Sequence, residues 1–198
     1  MTLVPASEIG VWNAWIFVAL LFLSFIPTQM MKKEAQDKFN AGWASKKWSK
    51  AGRLAALATH IVILPLTVIY SIFLPLKVGT AWFYAGLFIC LVALAIYYMA
   101  TINIAKTQIV NEPVTKGVYR FSRHPIYLGG FLLFLGIGIA CASWLFILFA
   151  LAWIILWIIA VPSEESDVSE KYGDAYREYT SRTPRWIGIL KSGSNKQP

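Results

Sequence analysis

The distribution of charge along the chain constrains its fold more than any other feature. Between Arg123 and Glu164 there is no Asp, Glu, Lys or Arg. Over the whole chain 58% of residues are hydrophobic and 14% are charged, against about 25% charged in soluble domains. Apolar runs long enough to cross a bilayer separate three polar blocks. Because only helices and closed barrels satisfy their backbone in lipid, the pattern predicts an all-α, multi-pass integral membrane protein.

Five transmembrane helices are predicted, and the last two form a hairpin. Pro65 is expected to kink the second helix, because its ring clashes with the preceding turn and its nitrogen cannot donate. Ser143 is expected to cap the final helix after a tight turn. The predicted spans are residues 11–31, 53–74, 81–104, 125–141 and 143–161.

The basic residues predict the orientation of these spans. The polar block 32–53 is strongly basic, and lysine and arginine concentrate in cytoplasmic loops. We therefore expect the N-terminus outside, the C-terminus inside and every basic residue except Lys77 on the cytoplasmic side. The net charge of +8 then reflects span flanks and anionic membrane lipid, and nucleic acid is not an expected partner.

Three regions follow from this arrangement. Residues 1–104 hold three spans and the cytoplasmic loop 32–53. Residues 105–190 hold the hairpin and a cytoplasmic amphipathic helix, and residues 191–198 are predicted to form a disordered tail.

The third polar block predicts a new helix after the hairpin. Ser163 is expected to cap it, which places Glu164 and Glu165 in its first turn, where the helix dipole favours carboxylates. An apolar stripe follows at helical spacing, so this helix is expected either on the membrane surface or over a pocket. The stripe consists of Val168, Tyr172, Tyr176 and Tyr179. In the second span, His60 either bonds a neighbouring helix or lines that pocket.

The charged clusters at the two ends of the hairpin predict a binding site. Arg120, Arg123 and His124 precede a helix that begins at Pro125, and a helix N-terminus with arginines suits an anion. The hairpin returns Glu164 and Glu165 to the same end. Together they suit a zwitterionic ligand, whose carboxylate meets arginine and whose ammonium meets glutamate. The residues alone leave open a simpler interpretation, in which the arginines anchor at headgroups and the glutamates cap a helix.

Three motifs in order resemble one family of membrane enzymes. They read R-H-P-I-Y-L-G at 123–129, E-E-S-D-V-S-E-K-Y-G-D-A-Y-R-E-Y at 164–179, and R-T-P-R-W-I at 182–187. The pattern is similar to that of the membrane methyltransferases, which include isoprenylcysteine carboxyl methyltransferase and the phospholipid N-methyltransferases. The resemblance covers roughly residues 105–188, with Val168 and Tyr172 where the family has Leu and Phe.

The resemblance implies an S-adenosylmethionine-dependent methyltransferase, and the predicted orientation of the spans places its active site at the cytoplasmic face. It implies catalytic roles for Arg123, His124 and Glu164. The acceptor is expected to be lipophilic and to arrive from the bilayer, and carboxylate, thiol and amine all remain open. If the acceptor is an amine, His124 or a glutamate takes its proton. No metal and no obligate protein partner is expected. From the residues and the resemblance together, the predicted cofactor contacts are Arg120, Arg123, His124, Tyr127, Gly129, Glu164, Glu165, Tyr176 and Arg177, with Arg185 as a further contact.

Two alternatives remain. Sterol-type reductases that use NADPH share the arginine–histidine motif and a K-Y-G stretch like 171–173, but they usually have Asn where Ile126 stands here. The other alternative is a non-catalytic membrane protein on the same scaffold. Binding of S-adenosylmethionine or NADPH would separate the three.

Overall fold

The computed structural model describes residues 1–3, 7–30, 33, 47–106 and 112–188. Within these ranges the regular structure is helical, apart from isolated β-bridges that join Thr2 to Ser143 and Asn13 to Pro75. The helices are α1 (Trp15–Leu23), α2 (Ile26–Gln29), α3 (Lys50–Ala58), a π-helix (Thr59–Ile63), α4 (Leu64–Ile72), α5 (Ala81–Lys106), a 3-10 helix (Gly117–Arg120), α6 (Pro125–Ala140), α7 (Trp144–Tyr172) and α8 (Asp174–Arg182).

Among the described residues, three helices are long and apolar enough to cross a membrane, namely Lys50–Ile72, Ala81–Lys106 and Trp144–Tyr172. α6 is apolar but shorter. These helices confirm the all-α, multi-pass expectation. The span count of five and the orientation stay predictions. Most of the basic loop 32–53 and the tail 191–198 lie outside the described residues.

The predicted first span, 11–31, is interrupted. α1 has nine residues and α2 has four, with Ser24 and Phe25 between them. The Ser24 hydroxyl donates to the Leu21 carbonyl at 2.6 Å, and such bonds compete with the helical backbone pattern. Pro27 has no N–H for the carbonyl four residues before it. Both effects stop α1 from continuing into α2.

The second predicted span is one continuous helix with a wider turn in its middle. The Leu64 N–H bonds the Thr59 carbonyl, five residues back, just before Pro65. Proline cannot donate, so the chain accommodates it by adding a residue to this turn. The predicted distortion at Pro65 therefore takes the form of the π-helix Thr59–Ile63.

α6 and α7 form the predicted hairpin. Its turn is tight enough that Ala142 has a positive φ of 52°. The Ser143 side chain accepts a hydrogen bond from the Phe146 N–H at 3.3 Å, which confirms it as the cap of α7. The N-terminal residues lie at this same end, because the Thr2 N–H donates to the Ala142 carbonyl.

The expectation of a new helix at Ser163 is wrong. α7 runs unbroken from Trp144 to Tyr172 with Pro162 in its interior, so Glu164 and Glu165 lie well inside it. The Ser163 hydroxyl instead contacts the hydroxyl of Ser49 at 2.9 Å and accepts from the Ser49 N–H. This contact with the start of α3 helps to offset the interior proline, which costs about 3 kcal/mol in an exposed helix.

α7 ends at Gly173, whose φ is +56°. The positive φ turns the chain, and α8 then folds back over the polar end of the bundle. The stripe that continues from α7 into α8 faces a cavity there. Of the two predicted positions for this amphipathic segment, over a pocket or on the membrane surface, the structure shows the first.

Candidate active site

A cavity of about 660 Å³ lies between the helices, and we call it the site cavity. Helices from both halves of the chain line it, including α1, the π-helix, α6 and α7. Its polar end carries Arg123, His124 and Glu164, whereas residues such as Leu21, Phe22 and Leu64 make the remainder apolar. It is in the size range of small-molecule sites, which are also mostly apolar with a few convergent polar groups.

The two adjacent glutamates have different environments. Glu165 accepts from Arg185 Nη2 at 2.6 Å and lies 3.1 Å from His124 Nε2. Arg123 Nη2 is 3.2 Å from the same carboxylate. Glu165 is not among the described residues that line the site cavity. Its oxygens are therefore occupied by this chain's own cations.

Glu164 does line the site cavity. The Tyr127 hydroxyl donates to Glu164 Oε2 at 2.9 Å, and His124 Nδ1 lies 3.7 Å from that oxygen. A carboxylate has about four acceptor positions. Glu164 therefore has acceptor capacity left for a ligand, on the side of the network that faces the cavity.

Local backbone geometry holds His124 in place. His124 is the N-cap of α6 and Pro125 stands in its first turn, where a missing N–H costs nothing. The His124 N–H donates to the Ser122 hydroxyl at 3.1 Å. The imidazole therefore leaves the helix start at a fixed angle, with one nitrogen toward each glutamate.

Residues 183–188, which we call the C-terminal strap, close the polar end. The Arg123 N–H donates to the Pro184 carbonyl at 3.1 Å, and the Ser122 hydroxyl donates to the Arg185 carbonyl at 3.3 Å. The Trp186 ring lies 5.9 Å from the ring of His124. The strap thus fixes the loop before α6 as well as Glu165.

A column of rings forms one wall of the site cavity. Tyr127 stacks on Trp157 with ring centroids 3.6 Å apart, and the ring of His124 lies nearly parallel to that of Tyr127 at 5.6 Å. His60 meets Trp157 edge to face at 5.7 Å. The column therefore begins at the polar end with one histidine and ends deeper in the cavity with the other.

Tyrosines outside the spans also line the site cavity. Tyr119, Tyr176 and Tyr179 all line the site cavity, and burial raises the pKa of each above its ordinary value. They stay neutral near neutral pH and act as hydrogen-bond donors. The Tyr179 hydroxyl donates a hydrogen bond to the Tyr119 carbonyl at 2.7 Å, and this bond holds α8 against the 3-10 helix Gly117–Arg120.

The structure brings most of the predicted site residues together. Those that line the site cavity are Arg123, His124, Tyr127, Glu164 and Tyr176. Glu165 and Arg185 lie behind them as an ion pair.

Three predicted residues stand elsewhere. A Cβ on Gly129 would meet the Tyr97 ring at 3.0 Å, so this glycine allows α5 to approach α6 closely. Arg120 is exposed. Arg177 pairs with Asp174 on the exposed side of α8. Neither arginine is among the described lining residues.

Several lining residues were not predicted as site residues. Tyr97 and Trp153 belong to the wall, and the Trp153 indole donates to the Tyr127 carbonyl at 3.1 Å. Their only signal in the sequence is a polar atom inside an apolar run. His60 does line the cavity, and its Nδ1 is 2.8 Å from the Ala56 carbonyl of its own helix.

Two buried donors on lining residues indicate what a ligand would supply. Among the described residues, Arg123 Nε and Trp157 Nε1 are buried without a hydrogen-bond partner. Buried donors are usually satisfied, so a ligand with acceptor atoms fits this cavity. With Glu164 available for a cation, the residues suit a molecule that carries both an acidic and a cationic group.

Comparisons with known proteins agree with this chemistry. The family model for phospholipid methyltransferase matches residues 54–175, more than half of the chain. The match includes both glutamates, the R-H-P-I-Y-L-G motif and His60, and it stops before the C-terminal strap.

One curated relative is methanethiol S-methyltransferase 1 of Bradyrhizobium diazoefficiens, 38% identical over 75 residues. That alignment covers 38% of this chain and spans about a quarter of the relative's length, 26%. The relative is also a methyltransferase by name. Together with the apolar helices and the converging polar groups, the family match shows that this chain belongs to the phospholipid methyltransferase family.

Proposed function

We propose that this protein transfers a methyl group from S-adenosylmethionine to a lipophilic acceptor at the cytoplasmic face of a membrane. The observation that carries the proposal is Glu164. It places a carboxylate with spare acceptor capacity at the polar end of an otherwise apolar cavity, in a chain of a methyltransferase family.

Each polar residue has a role that follows from its contacts. Arg123 and the N-terminus of α6 suit the amino acid carboxylate of the donor. Glu164 suits its ammonium group. Tyr127 and Trp157 stack on each other and form an aromatic wall of the cavity that Glu164 also lines. Glu165 holds Arg123 and His124 in position from behind. When bound, the donor supplies a methyl group on a sulfonium, ready for in-line displacement.

The apolar part of the cavity supports a lipophilic acceptor. Residues from α1 and α2 line it beside the polar end, and several of them also face outward, such as Phe22 and Ile26, which are 49% and 50% exposed. In a membrane, those exposed faces meet lipid. The acceptor would therefore approach from the bilayer side.

The relative's activity favours a thiol among the acceptors that the sequence left open. Its name specifies methyl transfer to methanethiol, which is small, apolar and sulfur-containing. For this chain a thiol acceptor is a proposal, and carboxylate and amine acceptors are the alternatives to test beside it.

The cytoplasmic placement rests on charge and on the donor. Arg123, Glu164 and Lys50 lie at the end of the bundle opposite the α6–α7 turn. Basic flanks favour the cytoplasm, where S-adenosylmethionine is made and used. Labelling of single cysteines placed at Ser181 and at Val78 in intact cells would test this orientation, and labelling of Ser181→Cys from outside would overturn it.

Equilibrium binding tests the proposal as a whole. Full-length protein in detergent should bind S-adenosylmethionine and should not bind NADPH, as measured by calorimetry. Incubation with the labelled donor and a set of apolar thiols, amines and carboxylic acids should then yield one methylated class. Binding of NADPH alone would favour the reductase alternative, and binding of neither would remove the proposed function.

A further inference from the structure

Methyl transfer to a thiol requires a group that accepts the thiol proton, and the proposed function has not yet assigned a residue to this step. A neutral thiol is a poor nucleophile, because the thiolate is the reactive form. The sequence suggested His124 or a glutamate as the proton acceptor only for an amine substrate. The structure shows the polar end engaged, with His124 Nε2 on Glu165 and Nδ1 near Glu164. Glu164 accepts a hydrogen bond from the Tyr127 hydroxyl, and in the proposed function its remaining acceptor positions hold the ammonium group of the donor.

His60 is the other histidine of the chain, and its tautomer follows from its contact. Nδ1 lies 2.8 Å from the Ala56 carbonyl. A carbonyl oxygen can only accept, so Nδ1 carries the proton and, in the neutral ring, Nε2 has the lone pair. The backbone of its own helix thereby sets His60 in the form that can accept a proton at Nε2.

The position of His60 is unusual for a histidine that only packs. It lies in the π-helix Thr59–Ile63, and such turns occur frequently at functional sites. The ring lines the site cavity together with Leu64, one turn further on. It also contacts the Trp157 ring at the end of the ring column remote from His124. The donor end and His60 are thus opposite ends of one wall.

We propose that His60 accepts the proton of a thiol acceptor during methyl transfer, an inference that rests on the proposed function. The S–H proton moves to His60 Nε2, and the sulfur electron pair forms the new S–CH3 bond. The bond between methyl and the donor sulfonium breaks, which leaves a neutral thioether on the donor. The imidazolium then returns its proton to solvent, so the enzyme is unchanged at the end of the cycle.

Two thiols of different acidity test the proposal. An aryl thiol is largely thiolate at neutral pH and needs no base, whereas an alkanethiol is largely protonated. His60→Asn keeps an N–H at the position of Nδ1 for the Ala56 carbonyl but has no basic nitrogen. Methylation of the alkanethiol by full-length His60→Asn should fall by about 100-fold or more, as is typical for loss of a general base. Methylation of the aryl thiol should change by less than about threefold.

Matched controls separate this role from packing. Leu64→Ala removes a lining side chain from the same helix face and should reduce the two rates by the same factor. Calorimetry should show unchanged S-adenosylmethionine affinity in His60→Asn, and His60→Gln provides a second variant if the first does not bind the donor. An equal loss for both thiols, or no loss for the alkanethiol, overturns the role of His60.

The outcomes also distinguish this inference from the proposed function. A wild-type protein that binds S-adenosylmethionine but methylates neither thiol overturns the thiol and His60 together and leaves the methyltransferase proposal in place. A wild-type protein that does not bind the donor removes the proposed function and this inference with it.

Discussion

The Arg185 guanidinium holds the Glu165 carboxylate through two hydrogen bonds, from Nη2 at 2.6 Å and from Nε at 3.1 Å. The contact joins α7 to the C-terminal strap, since Glu165 and Arg185 are 20 residues apart in the sequence. The Glu165 hydrogen bond in turn raises the pKa of Arg185 above its ordinary value, so the guanidinium stays charged. The pair is a fixed support beneath the residues that line the site cavity.

Glu165→Ala should therefore destabilise the protein. The change leaves Arg123 and Arg185 without their shared carboxylate, and breaking a buried ion pair costs about 3–5 kcal/mol. We expect a value near the lower end of that range, about 3 kcal/mol, because Arg185 is 41% exposed and partly solvated. Denaturant unfolding in detergent would measure it.

Glu170→Ala is the matched control on the same helix. Glu170 pairs with Lys47, but both side chains are 65% exposed, so water replaces the pair. Its unfolding midpoint should equal that of the wild type. Equal destabilisation by the two variants would contradict a supporting role for Glu165.

Local patterns in the sequence were sufficient for much of this fold. The span expected at 81–104 is observed as Ala81–Lys106, because an uninterrupted apolar run needs no distant partner to be helical in lipid. Ser143 was recognisable as a cap for the same reason: its hydrogen bond reaches only to Phe146. The R-H-P-I-Y-L-G motif likewise located the polar end of the cavity.

The features that escaped prediction depend on distant contacts. Ser163 was predicted to cap a new helix, yet α7 continues through Pro162. The Ser163 hydroxyl instead contacts Ser49, more than a hundred residues away in the sequence. The different environments of Glu164 and Glu165 follow from where the strap returns. No local pattern distinguishes two adjacent glutamates, so only the folded chain shows which one faces the cavity.

Glu164→Gln should weaken binding of S-adenosylmethionine. The amide keeps an acceptor for the Tyr127 hydroxyl but loses the charge that suits an ammonium group. Hydrogen bonds to charged groups contribute about 1.5–3 kcal/mol, so the dissociation constant should rise by roughly 10- to 100-fold. Calorimetry would measure it, with unfolding as the control for stability. Wild-type affinity would remove Glu164 from the site.

Arg123 and Arg177 provide a direct comparison of two predicted cofactor contacts. Arg123 lines the site cavity, whereas Arg177 is 64% exposed and paired with Asp174. Arg123→Ala should lower donor affinity by about 10-fold or more, the effect of one charge-assisted hydrogen bond. Arg177→Ala should leave the affinity unchanged. A loss of affinity in Arg177→Ala would instead support the contact that the sequence predicted for it.

Gly86→Ala should disrupt the packing of α5 against α6. A Cβ at this position would lie 2.3 Å from the Ala140 nitrogen and 2.4 Å from the Gly136 carbonyl oxygen. Both atoms are backbone, so the helices must separate to make room. Overpacking of this kind costs about 1–3 kcal/mol and occasionally more, and we expect the upper part of that range from unfolding measurements.

Gly129→Ala is a milder substitution at the same contact between α5 and α6. Its nearest neighbour is a Tyr97 ring atom at 3.0 Å, and a side chain yields more easily than backbone, so the loss of stability should be smaller than in Gly86→Ala. Tyr97 also lines the site cavity, so a displaced ring should alter donor or acceptor affinity. Gly86→Ala would then act mainly on stability and Gly129→Ala mainly on the site. A larger loss of stability in Gly129→Ala than in Gly86→Ala would contradict the close approach of α5 and α6 at Gly86.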